Sequence, residues 1–280
     1  MYLPPEDRQR FAHRFNGIRR QRLRKISQQH SRCIRDSIKK LHQKKYRQEF
    51  GCFLVEGEHL VQELQKAALR DPRLRSSEIY FTREYAHWVS PLTTHVVNSP
   101  HMMQLSETRS PQGIAAVVPL LTPPPASVGE RAIYLHEIQD PGNLGTILRT
   151  LAWFGGFRCL LSPGSVDVHN GKVVRASMGA IFHVPVEADV PMDSLPARFG
   201  RVASLEFKGR SIATTAFRNF DCFIFGNEGR GVPRAALDAV KAQPFTIAGS
   251  GAIESLNVAT AVNICQYELH RAVQEASQAL

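Results

Sequence analysis

Residues 140–150 read DPGNLGTILRT, and two polar side chains, Asn143 and Arg149, stand in an otherwise apolar helix start. The preceding AIYLHEI reads as a strand. Asp140 and Pro141 mark the turn that ends it, Gly142 and Asn143 open the helix, and Leu144, Ile147, Leu148 and Leu151 form an apolar stripe at helical spacing. Strand, tight turn and helix in this order build a parallel α/β sheet, whose ligands sit beyond the carboxyl ends of the strands. Arg149 falls nearly opposite the stripe, so periodicity alone makes it a surface residue. Its role has to be argued from the rest of the chain.

Beyond this unit, RCLLS, HVPV, RVASLEF, DCFIFG and PFTIAG read as further strands, with helical segments between most of them. The alternation predicts a mostly parallel sheet covered on both faces. The chain closes on a helix whose Val258, Ala261, Val262, Cys265 and Leu269 keep the 3.6-residue period. Ahead of the quoted stretch, PLLTPPPASVGER carries three consecutive prolines, Pro123 to Pro125, which forbid helix or central strand and favour an extended linker. Upstream of it, CFLV, EIYF, HVV and GIAAVV read as short strands, and EHLVQELQKAALR as a helix burying Leu60, Val61, Leu64 and Ala68. The expected organisation is a basic arm (1–33), a small α/β domain (34–118), a linker (119–130) and a larger α/β domain (131–280).

Charge is distributed unevenly. The first 50 residues hold 15 Lys and Arg against 4 acids, whereas the remaining 230 hold 20 against 21. In the arm, arginines alternate with Phe11, Phe15, Ile18, Leu23 and Ile26, a pattern that suits a polyanion with exposed bases; a solvated charged helix is the plainer alternative. An organellar transit peptide, also arginine-rich, fits less well because Glu6 and Asp7 come so early. No apolar run is long enough for a secretory signal or a membrane span. The five cysteines (33, 52, 159, 222 and 265) are scattered without a Cys-x-x-Cys pair, and the eleven histidines show no ligand spacing. These features predict a soluble, cytoplasmic protein in a reducing compartment, with neither membrane association nor a catalytic metal.

Two further loops are unusual. In FIFGNEGRGVP a buried strand ends at Gly226, and three glycines in six residues permit close backbone approach to a ligand. The Walker ending is missing and Glu228 would repel phosphate, which argues against a nucleoside-triphosphate loop. On bland grounds Glu228 is a carboxylate favoured by a helix N-terminus. IAGSGAIESLNVATA starts like a dinucleotide fingerprint, but Glu254 stands where the third glycine belongs and no βαβ partner follows. Ser255 is expected to cap the final helix, with Asn257 in its first turn.

In order and spacing, DPGNLGTILRT, FGNEGRG and SLNVA, with KVVRASMGAIFHVPV between the first two, resemble the three motifs of the SpoU, or TrmH-like, RNA ribose 2′-O-methyltransferases of the SPOUT superfamily. FLVEGEHLVQEL with PQGIAAVV is similar to that family's substrate-binding domain, which is like ribosomal protein L30e. The resemblance covers about residues 35 to 278 and leaves the basic arm outside it. It implies a trefoil knot at the carboxyl end, S-adenosylmethionine as cofactor, and a homodimer whose active site draws on both subunits. It further implies a cofactor pocket lined by Gly226, Ile247 and Leu256, and a polar site of Asn143, Arg149, Glu228, Ser255 and Asn257. Two departures stand out. The family's Ile-Pro-Met is Ile247, Ala248 and Gly249 here, and the first motif's strand ends in His136 and Glu137 in place of an Asp-containing pair.

Methyl transfer to a ribose hydroxyl needs alignment and loss of a proton. The resemblance assigns Arg149 to activating the hydroxyl, but a guanidinium with a pKa above ~12 is a poor base. Its physical strength is gripping the neighbouring phosphate. The separate L30e-like domain points to ribosomal RNA as the substrate. Transfer RNA, or a non-catalytic RNA-binding role permitted by Ala248 and Gly249, are the alternatives.

Overall fold

The computed structural model describes residues 38–127, 129–253 and 255–278, with side chains up to Arg271. The arm expected at 1–33 lies outside the described residues. Tertiary contacts divide the chain into two units after Leu120.

In the first unit, α1 (Lys44–Phe50) ends on Gly51, whose φ of 65° is the left-handed turn that a glycine makes without strain. The sheet that follows comprises β1 (Cys52–Glu56), β2 (Glu78–Phe81), β3 (Thr93–Val96) and β4 (Ile114–Pro119) in the order β1-β4-β2-β3. β4 runs antiparallel to both of its neighbours, while β2 and β3 are parallel. Helix α2 (Glu58–Ala68) buries the stripe read from the sequence, Leu60, Val61, Leu64 and Ala68, and lies on β1 and β4. On another side of the unit, Leu54, Tyr80 and Ala115 cluster with Ile38, Leu41 and two residues of α3 (Ser99–Leu105), Met102 and Leu105.

The second unit is the parallel α/β layer predicted from the strand–helix alternation. Its strands are β5 (Arg131–Leu135), β6 (Phe157–Leu161), β7 (Val186–Glu187), β8 (Val202–Ser211), β9 (Cys222–Phe225) and β10 (Gln243–Thr246). They lie in the order β10-β8-β9-β5-β6-β7, and every pairing is parallel. Ile133, Tyr134, Leu135 and Phe223 in the middle of the sheet are fully buried, as strands covered on both faces must be. HVPV gives a shorter strand than expected: His183 and Val184 bond back to the Ala180 carbonyl, and Pro185 has no N–H to offer a ladder. Helices α4 (Pro141–Phe154), α5 (Gly171–Ser177), α6 (Leu195–Arg198), α7 (Arg234–Ala239) and α8 (Val258–Gln278) complete the unit.

Two close fits hold α4 and the sheet edge. A Cβ at Gly145 would stand 2.4 Å from the Ala176 Cβ, so only glycine lets α4 press onto α5. Arg158 on β6, fully buried, pairs with Glu130 at 2.9 Å and Glu187 at 3.0 Å and donates to the Pro124 carbonyl at 2.9 Å. A buried guanidinium is tolerated when its donors are met in this way. Four described cysteines are free, and burial pushes the Cys159 thiol up to about 12, which leaves it unreactive. No helix among the described residues is long and apolar enough to cross a membrane.

Candidate active site

At the carboxyl end of β5 the chain turns into α4 through Asp140, whose carboxylate accepts the Asn143 N–H at 2.7 Å, with Pro141 in the first helical turn. That cap places the Asn143 side chain between two other loops. Its amide nitrogen donates to Glu228 Oε1 at 2.9 Å, and its oxygen accepts from Asn257 Nδ2, also at 2.9 Å. Asn257 in turn accepts the N–H groups of Ala259 at 2.9 Å and Thr260 at 3.2 Å. It is therefore the N-cap of α8, and the expectation that Ser255 caps this helix is corrected. The helix begins at Val258, and Asn257, a cap residue as good as serine, sits directly before it.

The second loop is folded by a residue whose role the sequence reading missed. Asn227 accepts the N–H groups of Gly229 and Arg230 at 2.9 and 3.1 Å, and donates to the Glu137 carbonyl at 2.8 Å. The signal was an asparagine two residues before a glycine, the chemistry of a side-chain-closed turn. Gly226 just ahead of it packs against backbone: an added Cβ would stand 2.7–2.8 Å from Gly231. Glu137, one of the two departures from the family pattern, ties these loops together. It holds φ at 47°, donates its N–H to Ser162 Oγ at 2.7 Å, and pairs its carboxylate with Arg230 at 2.7 Å. A non-glycine residue in this region costs energy that its surroundings must offset, and here three fixed partners do so.

The result is an open hollow of about 670 Å³ lined by Gln139, Asp140, Asn143, Asn227, Glu228, Gly229 and Asn257. Glu228 does not stand at the start of α7, the helix that follows its own loop. It faces the first turn of α4 through Asn143, where a carboxylate is favoured by the helix dipole. Beside the hollow, burial lowers the His136 pKa, with Glu137 opposing and Arg230 reinforcing the shift, so the imidazole is neutral near pH 7.

Of the polar residues expected to act together, Asn143, Glu228 and Asn257 are brought into one network, whereas Arg149 and Ser255 do not line the hollow. Arg149 is exposed on α4. Six residues on from Asn143 it lies about 9 Å along the axis and about 120° round it. Among the described residues it has neither a hydrogen bond nor an ion pair. Gly226 and Ile247 are half-buried and Leu256 is 44% exposed; these three also lie outside the polar lining.

The SpoU rRNA Methylase family model matches residues 130–267, and a model of the MRM3-like substrate binding domain matches residues 35–116. The 23S rRNA (guanosine(2553)-2′-O)-methyltransferase RlmP of Bacillus subtilis is 33% identical over 244 residues, covering 82% of this chain and 93% of the relative. A solved TrmH-family putative RNA methyltransferase from Porphyromonas gingivalis superposes with a TM-score of 0.75 at 30% identity, over 89% of this chain and 100% of that one. An AdoMet-bound rRNA methyltransferase from Sinorhizobium meliloti gives 0.72 at 25% identity, over 85% and 94%.

Proposed function

Because the chain belongs to the SpoU rRNA methylase family, we propose that it transfers the methyl group of S-adenosylmethionine to a ribose 2′-hydroxyl of ribosomal RNA. The observation that carries this reading is the relay from Asn257 through Asn143 to Glu228, which joins three sequence-distant loops at one hollow. Support for ribosomal RNA comes from the name of the B. subtilis relative and from the substrate-binding domain at 35–116.

The residues present suit the cofactor. The bare Cα at Gly226 keeps its loop folded tightly on Gly231, and Ile247 and Leu256 flank an exposed loop with apolar surface. In this reading those three hold S-adenosylmethionine, and Ala248 and Gly249 make that wall smaller than in the family pattern. When bound, the cofactor supplies an electrophilic methyl carbon on a sulfonium. Asn143 and Asn257 orient the ribose by neutral hydrogen bonds. Glu228 spends Oε1 on Asn143 and keeps acceptor capacity for a hydroxyl proton. Arg149 grips the adjoining phosphate, a task that suits an always-charged fork of donors. Alignment of this kind contributes ~7–11 kcal/mol of barrier lowering.

Arg149 is exposed and does not line its own hollow, so the reading places it at the hollow of a second protomer in a homodimer. The family's trefoil knot belongs to the same proposal, supported by the all-parallel sheet whose last strand leads into α8. So does a cytoplasmic setting, supported by the free thiols.

The test incubates the full chain with methyl-labelled S-adenosylmethionine and either ribosomal or transfer RNA. Label entering ribosomal RNA is expected. Label confined to transfer RNA overturns the substrate, and a folded sample that binds no cofactor at millimolar concentration leaves an RNA-binding module.

A further inference from the structure

The segment 38 to 50 sorts its side chains sharply. Ile38, Leu41 and Arg47 are at most 5% exposed, whereas Lys39, Lys40, Lys44 and Lys45 all face solvent. The buried members make the frame rigid. Arg47 donates to the Leu41 carbonyl at 2.7 Å, closing the turn that α1 follows, and His42 Nε2 donates to the Leu105 carbonyl at 2.9 Å, pinning that turn to α3. Leu41 N–H to the Ile38 carbonyl at 2.9 Å, and Gln43 N–H to that of Lys40 at 2.9 Å, fix the backbone.

On this frame sits an aromatic pair. The Tyr46 and Phe50 rings stack with centroids 5.8 Å apart, the ammonium groups of Lys40 and Lys45 lie 5.5 and 5.7 Å from the Tyr46 centroid, and Phe50 is 38% exposed. Four ammonium groups on so short a segment repel one another, and Glu49 is the one acid within residues 38 to 50. A partner with closely spaced negative charges relieves that repulsion, and an exposed ring beside the charges offers a face for a base.

We propose that Lys39, Lys40, Lys44 and Lys45, with Tyr46 and Phe50, form a surface that tracks the phosphates of a single-stranded or looped segment of the substrate RNA and stacks one of its bases. This rests on the RNA reading above and assigns the contact to a definite face. An anionic lipid surface could also take the charges and the exposed ring, and the vesicle arm of the experiment separates the two.

The experiment measures binding of the full chain to an rRNA fragment over a series of salt concentrations, independently of methyl transfer. Replacing all four lysines by glutamine should make the slope of log K against log salt shallower by about 3, since each phosphate contact on a single strand contributes about 0.7. Phe50→Ala should weaken binding about tenfold at every salt with the slope unchanged. In both variants the circular-dichroism spectrum and the melting profile should match the parent's, which shows that the unit carrying the substitutions is intact. An unchanged slope overturns the proposal. So does an equal loss per charge in Arg70→Gln/Arg75→Gln, whose exposed cations lie outside residues 38 to 50, or binding to anionic vesicles that needs the lysines while RNA binding does not. If the parent protein binds rRNA with the expected slope yet methylates none, the surface stands and the enzymatic reading fails.

Discussion

Asn257 donates its side-chain amide to the oxygen of Asn143 at 2.9 Å, although 114 residues separate them. The same Asn257 caps α8 through its own oxygen, so one side chain both starts the last helix and fastens it to the first motif. The two duties separate by substitution. Asn257→Ala should lose about 1 kcal/mol or more of stability with the cap, together with methyl transfer. Asn257→Asp keeps the capping oxygen but cannot donate to Asn143, so it should melt near the parent temperature while turnover falls. Thermal melts and initial rates on both variants check this; equal losses of stability would refute the division.

Arg149 should be required for turnover from a different protomer than Asn143. Arg149→Ala is expected to lower kcat at least about 100-fold while cofactor affinity and dimerisation hold. Mixed dimers of Arg149→Ala and Asn143→Ala subunits should regain activity, because one of their two hollows is complete. No recovery in the mixture would place both residues in one chain's site.

Gly226 has no room for a side chain. Gly226→Ala would force its methyl against the Gly231 backbone, at a cost of about 1–3 kcal/mol or a displaced loop. Calorimetry should show weakened S-adenosylmethionine binding. Parent-like affinity and melting temperature would mean that the loop yields freely.

His136 gives the second unit a pH dependence of defined sign. Burial lowers its pKa in the fold, so the unfolded chain binds that proton more tightly. The stability contributed by the neutral ring is complete above the unfolded pKa, about 6.5, and is lost as pH falls through that value toward the folded one. His136→Gln should therefore reduce the fall in melting temperature between about pH 7.5 and about pH 5. An unchanged fall would assign the acid sensitivity to other groups.

Much of this arrangement was legible in the sequence because glycine, proline and asparagine mark backbone turns by local rules. DPGN announced the entry into α4, and the buried strands announced the parallel sheet. Pairings across long separations were not legible. Nothing local links Glu137 to Arg230, 93 positions later, and periodicity gave no reason to prefer Asn257 over Ser255 as a cap. The short helix Lys44–Phe50 escaped notice because its basic residues obscure any apolar stripe. The position of Arg149 outside its own hollow is a matter of helix rotation, and it matters only once Asn143 is fixed.

The most direct measurement maps the modified atom. Ribosomal RNA methylated by the full chain should yield, after alkaline hydrolysis, a resistant dinucleotide carrying a single 2′-O-methyl ribose, and RNA treated with Arg149→Ala should yield none. Label on a base, or resistant dinucleotides in equal amount from the Arg149→Ala reaction, would contradict the site described here.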